Sequence, residues 1–105
     1  MSELNGASLG QLFGYGQTPQ DVTASRSVGV TYYNVTGKLI WVHVDGTNGT
    51  NGNPKIITGG VGFIGSPSSS ATSSCFVAAP VLPGADYKIT QTSGTFIKNK
   101  WTELR

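Results

Sequence analysis

Apolar and polar positions alternate with a period of two along much of this chain, the spacing of half-buried strands rather than of helices. Residues 28–33 place Val28, Val30 and Tyr32 on one face. Residues 38–44 carry the strongest signal, with Ile40, Val42 and Val44 on one side and Leu39, Trp41 and His43 on the other. Because both sides are partly apolar, this strand is expected to be central or to meet a partner with its outer face. Residues 55–64 read as one glycine-rich strand with bulges, and 74–82 as a strand broken at Pro80. Pro83-Gly84 signals a turn, and a short strand follows over 86–90. In the last strand, 95–104, the anchors Phe96, Trp101 and Leu104 break strict alternation, which predicts a bulge.

Two long connections lack apolar anchors. Residues 45–54 are rich in Asn, Gly and Thr, and residues 65–74 are rich in Ser. Both are expected at tips or edges. Before the strands, Leu4, Leu9, Leu12 and Phe13 give a loose apolar spacing, and Gly14, Gly16 and Pro19 end any helix there. The expected organisation is an arm or attachment segment over 1–20 and a β domain over 21–105. The fold class is all-β: an antiparallel β-sandwich, jelly-roll-like, with about six to eight strands.

Composition agrees with a small β domain. Of 105 residues, 44 are Gly, Ser, Thr or Asn, whereas only 12 are charged, which disfavours a helical bundle. A net charge of +2 is too small to point to nucleic acid. The longest apolar run is residues 39–42, and the first residues lack the basic and apolar regions of a signal peptide, so neither membrane insertion nor secretion is expected. Cys75 is the sole cysteine and cannot form an internal disulfide. The sequons at Asn34 and Asn48 are expected by chance in a chain so rich in Asn and Thr.

Candidate chemistry is thin. His43, the single histidine, lies mid-strand beside Trp41 and reads as half-buried or at an interface, and Cys75 reads as a small core residue. The five carboxylates, Glu3, Asp21, Asp45, Asp86 and Glu103, form no paired motif of the kind glycoside hydrolysis uses. One His and one Cys cannot make a zinc site, and residues 45–51 lack the spacing and closing Glu of an EF-hand. No catalytic residue, metal or cofactor is therefore expected. Surface recognition is favoured. Tyr33 and Trp41 could stack on a sugar ringed by Asn48, Asn51 and Asn53, although core or subunit interface is the favoured reading of Trp41. The better receptor-binding candidates are the two polar loops, through Asn48, Thr50, Asn51, Asn53, Ser68, Ser69 and Ser70. Leu39 and Trp41 form an apolar stripe expected to be a subunit interface.

Three segments also carry a resemblance. They are 14–26 (GYGQTPQDVTASR), 32–42 (YYNVTGKLIWV), and an ending made of 81–87 (VLPGADY) and 101–105 (WTELR). In this order they resemble the C-terminal domain of tailed-bacteriophage tail fibres and related tail proteins. Members of that family tend to carry a GxGQTWQDVTASR stretch, a YTNTTGKPI hairpin, a PPGATY turn and a final W.ELR. Here Pro19 stands in place of the usual Trp, and Leu39 in place of the hairpin Pro. The resemblance implies a virion structural protein, made in a host cytoplasm, that forms homotrimers and contacts other virion proteins. It also implies non-enzymatic attachment to a bacterial surface polysaccharide or protein. The alternative is an accessory virion protein that caps, joins or decorates the tail or head, with residues 1–20 inserted into a neighbouring subunit.

Overall fold

The computed structural model describes residues 13–48, 53–65, 74–92 and 94–105, with Asn48 as backbone only. Eight strands appear among them: β1 (Pro19–Asp21), β2 (Thr31–Tyr33), β3 (Ile40–Asn48), β4 (Pro54–Thr58), β5 (Val61–Ile64), β6 (Ser74–Val81), β7 (Asp86–Gln91) and β8 (Phe96–Leu104). They form two four-stranded sheets, ordered β1-β8-β3-β6 and β2-β7-β4-β5, and every pairing is antiparallel. The all-β sandwich expected from the sequence is thus what folds.

The alternation of β3 sets the core. Ile40, Val42 and Val44 are completely buried, and Cys75, Val77, Ala79 and Val81 of β6 join them on the same face. Ile56 of β4 with Tyr87 and Ile89 of β7 face them from the second sheet. β3 is central, as its two partly apolar sides require. Its outer face carries Trp41 beside Leu104 of β8 and Pro80 of β6. Pro80 does not break β6: that strand is the edge of its sheet, where a missing N–H donor is tolerated.

The predicted bulge lies in β8. Asp45 pairs with Lys100 and Gly46 with Lys98, so Asn99 is the extra residue. The insertion switches the parity of the strand, which lets Phe96 and Trp101 both face the core. Alternation resumed from Trp101 then buries Glu103 rather than Leu104, and Leu104 is only half-buried, against expectation.

Three further expectations need correction. Residues 55–64 are two strands, not one: Gly59 and Gly60, with φ of +57° and +80°, make the two-residue turn of a β4–β5 hairpin. The strand expected over 28–33 begins only at Thr31, and Val30 is exposed. The boundary at residue 20 falls inside β1, because Pro19, Gln20 and Asp21 pair with Leu104, Glu103 and Thr102.

Candidate functional site

Register gives the sandwich two unlike ends. At one end Asn48 finishes β3, Thr47 lies opposite Ser74 at the start of β6, and Pro54 of β4 lies opposite Gln91 of β7. The connections across 49–53, 65–73 and 92–95 therefore all leave from this tip. At the other end, the base, lie the first residues of β3, the β4–β5 turn, the 82–85 turn and Arg105. Gln17 also reaches the base, donating to the carbonyl of Leu39 at 2.8 Å, and Thr18 and Arg105 exchange backbone hydrogen bonds.

Two buried polar centres hold the base half together. Glu103 is completely buried and accepts five hydrogen bonds. Arg26 donates to both carboxylate oxygens through Nε and Nη2 at 3.3 Å, and Arg105 donates to Oε1 at 2.6 Å. The Tyr87 hydroxyl and the Trp101 indole N–H donate to Oε2 at 2.8 and 3.1 Å. Burial pushes the Glu103 carboxyl up, but the hydrogen bonds from Tyr87 and Arg26, the Arg26 charge and the Arg105 hydrogen bond outweigh it and hold the pKa below the usual carboxylate range. Burial and the Glu103 partner push the Tyr87 phenol up to about 12. Arg26 also lies over the Tyr32 ring, 4.8 Å from its centroid.

The second centre is Asn34, also completely buried. Its Nδ2 donates to the carbonyls of Lys38, Val81 and Leu82, and its Oδ1 accepts from the Thr36 amide and hydroxyl. An amide so enclosed is no glycosylation acceptor. Sequence reasoning singled out neither centre. Yet a signal existed, since Glu103 stands two residues after Trp101 and hence on the same side of the strand.

This geometry is that of an internal clamp between the two sheets. Both Glu103 oxygens are saturated by donors and shut off from solvent. His43 and Cys75 lie on opposite faces of one sheet: His43 stacks on Phe76 at 5.3 Å on the outer face, whereas Cys75 points into the core, where burial pushes its thiol up. Among the described residues no cluster of His, Cys, Asp or Glu could hold a metal ion.

The sugar-stacking set is not brought together. Tyr33 ends β2 near the base and Trp41 opens β3, whereas Asn48 closes β3 at the tip, about 23 Å away at ~3.3 Å per residue. Thr50, Asn51, Ser68, Ser69 and Ser70 lie outside the described residues, as do Leu4, Leu9 and Leu12. Asn53 roots the first tip loop. Its carbonyl accepts the Thr92 amide at 2.9 Å, and its side-chain oxygen is buried with no partner among the described residues. Gly65 roots the second, donating to the Pro54 carbonyl at 2.8 Å. Leu39 is half-buried, Trp41 is 40% exposed, and Phe13 is exposed. Comparison of the chain with protein-family models, curated proteins and solved structures returned no match.

Proposed function

We propose that this chain is a non-enzymatic host-recognition domain of a phage tail, a virion structural protein that binds a bacterial surface polysaccharide or protein through its tip loops. The observation that carries this reading is the division between the two ends. The polar centres that fix the sandwich lie in its base half, where Gln17 and Arg105 also sit, and the long Asn/Gly/Thr and Ser connections share the far end. Such a scaffold presents pliable polar groups on a fixed platform, so the loops can vary without disturbing the core. Asn53, whose buried side-chain oxygen has no partner among the described residues, roots the first of those loops.

The homotrimer is proposed to form through the outer face of β3, where Leu104, Trp41 and Pro80 make an apolar stripe in register. Copies held together would multiply a weak attachment at each tip. The test is adsorption of purified protein to host cells. Replacement of residues 49–52 by a glycine–serine linker of equal length is expected to abolish adsorption while leaving the melting temperature unchanged. Retained adsorption would refute the reading.

The alternative, an accessory protein that caps, joins or decorates the virion, is favoured by the exposed apolar side chains Val61, Ile64, Phe76 and Leu82, which suit burial against a neighbour. Copy number in purified virions separates the two. A tail-like stoichiometry supports recognition, and hundreds of copies support decoration.

A further inference from the structure

The surface between β1 and the 22–26 segment holds an open hollow of about 490 Å³, lined by Gln20, Val22, Ser25, Arg26 and Arg105. Both arginines reach it from the clamp: their side chains keep 17% and 25% exposure, whereas the Glu103 side chain beneath them has none. Glu103 occupies only part of their donors. Arg26 gives it Nε and Nη2, and its Nη1 lies a long 3.4 Å from the Ser25 carbonyl and hydroxyl. Arg105 gives it Nη1, so the Nε and Nη2 edge of Arg105 has no hydrogen-bond partner among the described residues. That edge is the planar fork that grips a carboxylate or phosphate with two parallel bonds.

Charge points the same way. Two guanidiniums share one carboxylate, which leaves the floor of the hollow positive. Asp21 follows Gln20 on β1 and so faces the other side of the sheet, where it pairs with Lys100 at 3.7 Å. Lys98 Nζ donates to the Thr23 and Arg26 carbonyls and adds a further cation to the same segment. The rest of the lining is uncharged. Gln20 Nε2 donates to Thr18 Oγ1 at 2.6 Å, which leaves its Oε1 as an acceptor, and Val22 supplies an apolar wall. A bare ion would use neither, whereas a sugar-sized anion could set a hydroxyl against Gln20 and ring carbons against Val22. From this geometry we propose that the hollow binds a sugar-sized organic anion by its carboxylate or phosphate group, held by the Arg105 fork and Arg26 Nη1. Glu103 fixes both guanidiniums beforehand, so little side-chain freedom is lost on binding. The site lies on the flank of the base half and does not depend on the tip loops.

Nuclear magnetic resonance titration of the isotope-labelled full chain tests it. Glucuronate and glucose 6-phosphate are the probes, with glucose and sodium chloride at matched ionic strength as controls. Both anions should shift the Arg105 Nε–H resonance and the Val22 and Ser25 amides along saturating curves, and leave the Thr58 and Val61 amides at the other edge of the sandwich unmoved. The tighter of the two identifies the group that the fork prefers. Unsaturable shifts, or shifts that chloride or glucose reproduces, would overturn the proposal. Arg105→Gln should weaken binding about tenfold or more. Arg105→Lys keeps a cation beside Glu103, and with it the fold, but has no fork, so it should weaken binding by a similar factor. Undiminished affinity in the lysine variant would also overturn the proposal. The chain with its 49–52 loop replaced should bind as wild type does, and loss of binding there would move the anion to the tip and sink the idea.

Discussion

The Tyr87 hydroxyl donates to Glu103 Oε2 at 2.8 Å, joining β7 of one sheet to β8 of the other through the middle of the core. Tyr87→Phe keeps the ring and deletes this bond to a charged acceptor. The expected loss is about 1.5–3 kcal/mol, read by urea denaturation at neutral pH. The same variant has an alkaline signature. The phenol titrates near 10 when unfolded and about 12 when folded, so its contribution is full below pH 10 and is lost as pH rises towards 12. Wild type should lose stability across that window, and Tyr87→Phe should lose less. Equal slopes would show that another group governs the alkaline limb.

Glu103→Gln leaves Arg26 and Arg105 facing a neutral amide at a completely buried position. Breaking such a pair costs about 3–5 kcal/mol. The acid limb has the opposite sign to the tyrosine limb. The folded carboxyl titrates below its ordinary value of 4.5, so its contribution is present above that pH and is lost as pH falls below it. Denaturation midpoints measured from pH 7 down to pH 3 should fall for wild type below about 4.5 and flatten in Glu103→Gln.

Gly46 faces the bulge. A Cβ there would lie 2.1 Å from the Ile97 carbonyl oxygen and 2.9 Å from the Phe96 ring. Gly46→Ala should therefore destabilise by about 1–3 kcal/mol through overpacking. Gly62, where the nearest atom is the flexible Lys55 chain at 3.1 Å, is the matched control, and Gly62→Ala should change stability by less than about 0.5 kcal/mol. Thermal melts of the two variants check the contrast.

Trp41→Asp places a charge in the Leu104–Trp41–Pro80 stripe without entering the core. Sedimentation velocity should show a trimer for wild type and a monomer for the variant, with unchanged circular dichroism. A trimer that survives the substitution would move the interface elsewhere.

What the sequence disclosed follows from how local each signal is. The alternation of Ile40, Val42 and Val44 identifies a central strand because burial on one face is written into every second residue. The bulge was legible because Phe96 and Trp101 cannot share a face in an unbroken strand. The β4–β5 hairpin was missed because Gly59-Gly60 interrupts one β-branched run, Ile56-Ile57-Thr58 before it and Val61 after it, and resembles a bulge as much as a turn. The Glu103 clamp joins residues up to 77 positions apart, and nothing in the local pattern of Arg26 or Tyr87 announces a shared partner. The tip loops were recognisable as loops. Their shared origin at one end came only from the pairing of Thr47 with Ser74 and Pro54 with Gln91.

The position of β8 between β1 and β3 has a consequence for how the protein is made. Neither neighbour can dock on the other until the ribosome has released the residues up to Arg105, so the first strand waits for the last. Pairing across such sequence distances is slow to form. Until then the core face of β3 and the unpaired edges flanking β8 are open to wrong partners. A chain cut short before Trp101 lacks the second half of β8 and the carboxylate that bolts the sheets together, and is expected to be cleared by proteases rather than incorporated into an assembly.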